Sequence, residues 1–463
     1  MIEEINTVFE KLSFFFETRK FADLRILTLD LEPADIANFM ENNLDEKEQL
    51  KFFRLLPKEL ASDVFVETDT DTQERLIKAF TDKELKEVID DMFLDDTVDI
   101  IEEMPANVVK RILKNADPEN RKQINALLEY PDDTAGSIMT PEYVSLSASM
   151  TVEEAFDKIR RTGLNKETIY TCYVTDRKKK LTGVVTVRDM LLADKQELIA
   201  HIMDSTVITA FTLDDKEQVA LKFSKYAFLA LPVVDKEGCL VGIVTVDDAV
   251  DVIQEEATED IQKMAAVLPN EKPYLKQSIW SIWKARVPWL LLLMLSATFT
   301  SMVLSHFEEK LHNASLAAVG SGGLLYMFVP MLMGTAGNAG NQTSVTVIRA
   351  IALGDVEFKN IFKVILKELG AAFILGLTVA IVCFGKMMLI DNLYNKITVE
   401  VALIVSGVLL ITIMMAKLVG CILPLIAKKC RLDPAVVASP FMTTIVDVLS
   451  LIIYCSIAIA VLA

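Results

Sequence analysis

The carboxylate of greatest chemical interest is Asp447, alone in the apolar stretch AVVASPFMTTIVDVLSLIIYCSIAIAVLA over 435–463. That stretch is long enough to cross a bilayer, and an ionised group at bilayer depth costs about 2.5–3.5 kcal/mol on insertion scales. Such a group faces either a polar cation pathway or a hydrogen-bonding neighbour helix, with Thr443 and Thr444 the nearest partners. Neutral oxygens suited to a cation occur upstream in YMFVPMLMGTAGNAGNQTSVTVIRA, at Asn338, Asn341 and Gln342. There Pro330 is expected to free a backbone carbonyl, and Gly334, Gly337 and Gly340 to let helices or ions approach the backbone. A small-residue packing seam joined by amides is the alternative reading. Further carboxylates lie upstream: FLDDTVDII sets Asp95 and Asp99 four apart on one helix face. DDAVDVIQEEATEDIQKMAAV pairs Glu255 with Glu259 and Glu256 with Asp260 at the same spacing. Like charges so spaced are unfavourable by roughly a few tenths of a kcal/mol each, so these helices are either strongly solvated or bridged by cations.

The elements that position these groups differ in composition. The 463 residues carry a net charge of −18, but from Arg286 onward 12 Lys/Arg outnumber 9 Asp/Glu. The first 285 residues hold 35 Lys/Arg against 56 Asp/Glu, a net of −21. An acidic half that repels phosphates argues against nucleic-acid partners and suits divalent cations. The six cysteines form no CxxC pair and the three histidines no zinc motif, which points to a reduced compartment without a disulfide framework. No signal peptide opens the chain, so the acidic half is expected in the cytoplasm.

Residues 1–130 read as an all-α domain. LEPADIANFM at 31, LPKELASDVF at 56, FTDKELKEVI at 80 and MPANVVKRIL at 104 recur every 24 to 25 residues and predict a stack of short helices. Residues 131–199 and 200–248 are expected to be two α/β copies: SIMTPEYVSLSASM is answered by HIMDSTVITAFTLD, and GVVTVRD by GIVTVDD. An acidic connecting helix follows, with Val250, Ile253, Ala257, Ile261 and Met264 as its apolar side. Pro269 and Pro273 are expected to end it, before Trp280, Trp283 and Trp289 at a membrane interface; this connecting region spans 249–285. The remainder, 286–463, predicts an all-α membrane domain with apolar spans near 287–306, 319–350, 364–390, 399–427 and 435–460. Its flanks carry nine Lys/Arg on the side of the N-terminal half (Lys284, Arg286, Arg349, Lys359, Lys363, Lys367, Lys428, Lys429, Arg431) and three on the other (Lys310, Lys386, Lys396). That bias places the C-terminus outside. Lys417, within the fourth span, is expected either to snorkel or to pair with a carboxylate.

The duplicated copies resemble a tandem pair of cystathionine-β-synthase (CBS) domains. That resemblance implies an adenosine nucleotide such as ATP at Thr186 and Asp189, with Tyr170 and Arg188 beside them; plain helix capping by Thr186 and Asp189 is the other reading. The second copy presents the same pair as Thr245 and Asp248. With RVPWL, GTAGNAGNQ, LDPA and SPFMTTIVD, the whole chain resembles the MgtE family of bacterial magnesium channels. The resemblance implies a homodimer in the lipid bilayer of the inner membrane, with the pore on the two-fold axis and Asp447 at its lining. Gly337, Asn338, Asn341, Gln342, Ser439, Thr443 and Thr444 would line the rest. It implies sensing of cytoplasmic Mg²⁺ by Asp95, Asp99, Asp215, Glu217, Asp248, Glu256, Glu259 and Asp260, which would close the pore when bridged. Three residues depart from the family's pattern: Ser439 where some members have Asn, Ala227 where some have Asp, and Ser450 where Gly is frequent. A non-conducting membrane anchor whose CBS pair senses nucleotide or Mg²⁺ is the alternative function. No GxxxxGK[ST] loop is present for an ATP-driven pump, and no enzymatic activity is expected.

Overall fold

The computed structural model describes residues 2–270, 274–319, 324–356, 358–394, 397–438 and 440–462. Ser439, Pro273 and Lys396 lie outside the described residues. Two compact units are present, Met1–Ile253 and Gln254–Ala463.

The first unit begins with ten helices between Ile2 and Leu127. Their starts are written locally: Asp45 with Glu48 and Thr81 with Glu84 form reciprocal capping boxes, and Asp69 caps Thr70–Ala79. These side chains satisfy amide donors that a helix start leaves unpaired. Because all the helices but the first, Ile2–Glu17, are only two to three turns long, stability comes from the buried face. Phe39, Phe52, Phe65, Ile77, Leu85 and Ile124 are almost wholly buried. Phe39 and Phe52 meet at 5.4 Å between ring centroids.

Two three-stranded sheets follow. In the first, β1 (Ser145–Leu146) pairs parallel with β2 (Thr171–Thr175), and β2 antiparallel with β3 (Leu181–Thr186). In the second, β4 (Ala210–Phe211), β5 (Ala230–Val234) and β6 (Leu240–Thr245) repeat the arrangement. Val174 faces Gly183 and Val233 faces Gly242, at matching register. Those two glycines explain how the copies interlock. A Cβ on Gly183 would sit 2.7 Å from Met203 Sδ and 3.0 Å from the Asp204 carbonyl. On Gly242 it would sit 2.8 Å from Met139 Sδ and 2.9 Å from the Thr140 carbonyl. Each copy's IM segment therefore lies across the other copy's last strand, at a separation only glycine admits.

The connecting helix runs Val246–Met264 and ends before either proline, with Ala266 in the left-handed region at φ 57°. Its apolar side also differs from expectation. Ala249 and Val252 are buried in the first unit's core, whereas Val250, Ile253 and Ile261 are exposed. The first unit's core, not the local pattern, chose the buried face.

The second unit contains five long helices, here called first to fifth: Ile279–Val319, Val329–Ala352, Ile361–Leu389, Val399–Lys429 and Pro440–Leu462. Among the described residues four helices are long and apolar enough to cross a membrane, Ile279–Leu316, Ile361–Leu393, Val399–Lys429 and Phe441–Val461. The second helix is long but polar. It is also continuous: Pro330 sits in its first turn, where a missing amide hydrogen costs nothing, so it does not interrupt the helix as its sequence suggested. The fourth helix packs on the second and third, and the fifth on the first and second. Leu332, Val405, Leu409, Leu451 and Tyr454 form a shared core, and the Tyr454 hydroxyl donates to the Leu325 carbonyl at 2.7 Å.

Candidate cation pathway and acidic clusters

In the second unit, Asp447 lies two turns into the fifth helix and is half-buried against the second. A Cβ on Gly337 would come 3.8 Å from Asp447 Oδ1, so a glycine leaves the carboxylate room beside a helix backbone. Three residues on, the contact tightens. A Cβ on Gly340 would meet Met442 Sδ at 2.8 Å and the Ala416 carbonyl at 3.0 Å, and one on Gly420 would meet the Gly340 carbonyl at 2.3 Å. The small-residue seam and the polar face therefore coexist on one helix.

Among the described residues no side chain hydrogen-bonds or ion-pairs with Asp447. Thr444 engages Ser296 of the first helix at 3.0 Å, and Thr443 makes its own contacts. Asn341 is half-buried with its Oδ1 buried and unpartnered, while Asn338 and Gln342 are exposed on this single chain. Gly337 is thus brought to Asp447; the amides share its helix, and no contact brings them to the carboxylate. Ser450 is fully buried with an unpartnered hydroxyl.

Lys417 pairs with a carboxylate. Its Nζ is 3.3 Å from Glu368 Oε2 on the third helix, and the Thr343 hydroxyl of the second helix donates to the same oxygen at 3.1 Å. Glu368 was not singled out from sequence, because it follows Lys367 at an apparent helix flank. Its depth is a tertiary fact.

In the first unit, Asp95 and Asp99 share the helix Leu94–Glu103 with Asp96. The Leu94 amide at its start donates to Glu142 Oε2 at 3.1 Å, which draws a further carboxylate from the CBS region onto the helix N-terminus. Asp248, Asp96 and Glu167 complete the cluster. Burial, then Asp96, Asp248 and Glu167, push the Asp95 carboxyl well above its ordinary range. Burial followed by Asp248 raises Asp96 to about 7, and burial followed by Asp96 raises Glu167 to about 8. Asp99, whose side chain reaches solvent, is likewise raised to about 7 by burial and then Asp248. Asp95 Oδ1 and Glu167 Oε2 are buried without a hydrogen-bond partner. Among the described residues no three carboxylates converge tightly enough to ligate one ion directly. Asp96, Glu142 and Glu167 had no distinguishing sequence spacing.

The two copies use their Thr–Asp pair differently. In the first, Thr186 Oγ1 donates to Asp189 Oδ2 at 2.5 Å, the Asp189 amide donates back to Thr186 Oγ1 at 3.1 Å, and the pair is a capping box. The Val187 amide donates to the Tyr170 carbonyl at 2.9 Å, so Tyr170, Arg188 and Asp189 gather on one open surface. In the second, Thr245 Oγ1 donates to Asp248 Oδ2 at 2.5 Å, but burial raises the Asp248 carboxyl, and it faces the acidic helix. Asp215 caps Lys216–Tyr226 through the Gln218 amide at 3.1 Å, and Glu217, next in that helix, is also engaged.

The connecting helix ends in charge pairs within the second unit. Lys263 Nζ is 2.7 Å from Glu259 and 2.8 Å from Asp433. Burial lowers the Lys263 ammonium, but the hydrogen bonds from Asp433 and Glu259 outweigh it and hold the group above its usual range. Burial, then Asp433, raises the Asp260 carboxyl. Glu256 is engaged as well.

A helical domain, a CBS pair and a bundle of long apolar helices describe a membrane transporter, and the comparisons agree. A family model described as a divalent cation transporter matches residues 329–457, one for the MgtE intracellular N domain matches 31–133, and the CBS domain model matches 135–195 and 199–255. The magnesium transporter MgtE of Thermus thermophilus is 37% identical over 440 residues, 94% of each chain. A crystal structure of the soluble part of a magnesium transporter is similar at TM-score 0.52 and 32% identity, covering 55% of this chain and 99% of that one. The cytosolic domain of the Mg²⁺ channel MgtE in complex with ATP is similar at TM-score 0.50 and 36% identity, covering 52% and 98%. The chain belongs to the MgtE family, which is a transporter family and not an enzyme family.

Proposed function

We propose that this protein is a Mg²⁺ channel of the bacterial inner membrane, importing the ion down its electrochemical gradient through a pathway lined by Asp447. The carrying observation is a half-buried carboxylate without an ion-pair partner, seated against Gly337 of a polar helix. A membrane anchor has no use for such a group. Magnesium sheds water reluctantly and binds through one or two carboxylates plus retained waters. Two copies of Asp447 facing each other across the axis of a homodimer would form a ring suited to a hydrated divalent ion. The N-terminal half lies in the cytoplasm and the C-terminus outside.

Closure follows from the acidic clusters. Asp95, Asp99 and Asp248, with Asp96, Glu142 and Glu167, repel one another until hydrated Mg²⁺ bridges them; Asp215, Glu217, Glu256, Glu259 and Asp260 are proposed as further sensing carboxylates. Carboxylates too far apart for direct chelation suit an ion that keeps its waters. ATP is the proposed ligand of the open Tyr170, Thr186, Arg188 and Asp189 surface, because the equivalent pair in the second copy is buried among acids. The test is Mg²⁺ influx into proteoliposomes with a trapped indicator, comparing the protein with Asp447→Asn. Flux that requires Asp447 and falls as cytoplasmic-side Mg²⁺ rises is expected; no flux at any Mg²⁺ level from folded protein would favour the anchored sensor.

A further inference from the structure

Lys417, buried, and Glu368, partly buried, are charges of the membrane unit that the pathway above does not use. Their side chains are 20% and 10% exposed, at 3.3 Å from each other. Charges at such depth are costly and persist where they pair or act. The pair does more than neutralise itself, because Glu368 Oε2 also accepts from Thr343 at 3.1 Å. One oxygen thus ties three helices: the third through Glu368, the fourth through Lys417 and the second through Thr343.

Thr343 stands three residues beyond Gly340, whose carbonyl lies against Gly420 of the fourth helix, and six beyond Gly337, which abuts Asp447. Gly420 itself is three residues beyond Lys417. The glycine seam lets the second and fourth helices approach closely, but a contact between glycines carries no directional side-chain bond to fix rotation about a helix axis. A hydroxyl bonded to a fixed carboxylate does restrain it. A helix turned by one residue, about 100°, would carry Gly337 off Asp447 and swing Asn341 away.

We propose that Glu368 is a positioning residue for cation transport: held by Lys417, it accepts from Thr343 and so sets the face that the second helix presents to Asp447. The proposal rests on the transport reading above. Its test is Mg²⁺ flux together with thermal unfolding of the full-length protein for Glu368→Gln, Lys417→Met, the double variant Glu368→Gln/Lys417→Met, Thr343→Val and Thr343→Ser. Each single charge removal is expected to lower flux about tenfold or more and the melting temperature by about 5 °C, because it strands its buried partner. The double variant is expected to recover the melting temperature but not the flux. Thr343→Val keeps the ion pair, so it should melt within about 2 °C of the parent yet lose flux about threefold to tenfold, and Thr343→Ser should restore it. A merely structural pair would leave Thr343→Val flux unchanged, and that result overturns the proposal. Failure of Thr343→Ser to restore flux overturns it also. Absence of flux in the parent protein would instead refute the transport reading itself, so the two failures are distinguishable.

Discussion

Asp96→Asn should stabilise the first unit at neutral and alkaline pH and flatten its pH dependence. Asp96 is raised from 3.8 to about 7, first by burial and then by Asp248. A carboxyl whose folded pKa is raised holds its proton more tightly when folded. Its ionisation therefore costs stability progressively as pH climbs from about 4 through about 7, and the loss is complete above that. At 1.36 kcal/mol per pH unit, the rise corresponds to an upper bound of about 4 kcal/mol. The half-buried side chain keeps some water, and its charge is shared with Asp248, so about 1–2 kcal/mol is the expected gain for Asp96→Asn at pH 8. At pH 4 most of the gain should be gone, because the folded carboxyl is protonated and the unfolded one, with its ordinary value of 3.8, is only partly ionised. Scanning calorimetry of the full-length protein in chelator, at pH 4, 6 and 8, reads this in the first unit's transition. Mg²⁺ in the millimolar range should stabilise the parent at pH 8 and the variant less. A variant no more stable than the parent at pH 8, or one equally stabilised at pH 4, would refute the electrostatic reasoning.

Ala227 occupies the left-handed region at φ 54°, so Ala227→Gly should gain about 0.5–1 kcal/mol, measured in the same calorimetric transition. Gly420→Ala places a Cβ 2.3 Å from the Gly340 carbonyl, and should cost about 1–3 kcal/mol and most of the flux; Gly407→Ala, with nothing within 4 Å, is the neutral control. Lys263→Met removes the cation between Glu259 and Asp433. The carboxylates left behind should attract Mg²⁺ more strongly, lowering the concentration that half-closes the pathway by about twofold to fivefold in the flux assay.

Much of the fold was legible in the chain itself, because the signals are local. Capping residues such as Thr81 and Asp45 wrote the helix starts, the duplicated IM and G-h-h-T-x-x-D segments wrote the CBS pair, and apolar length wrote the long helices. Asp447 stood out for the same reason: a charge inside an apolar run needs no partner to be noticed. What the tertiary structure decided were matters of orientation and company. Pro330 looked like a break, but its position in the first turn left the second helix whole. The connecting helix buries Ala249 and Val252 rather than the stripe its pattern favoured, because the first unit's core supplies the apolar surface there. Glu142, Glu167 and Asp248 joined the acidic helix only when segments far apart in sequence converged. Lys417 was visible as an anomaly, but its partner Glu368 was 49 residues away on another helix. Spacing along the chain reports what one element can offer; only packing reports which offers meet.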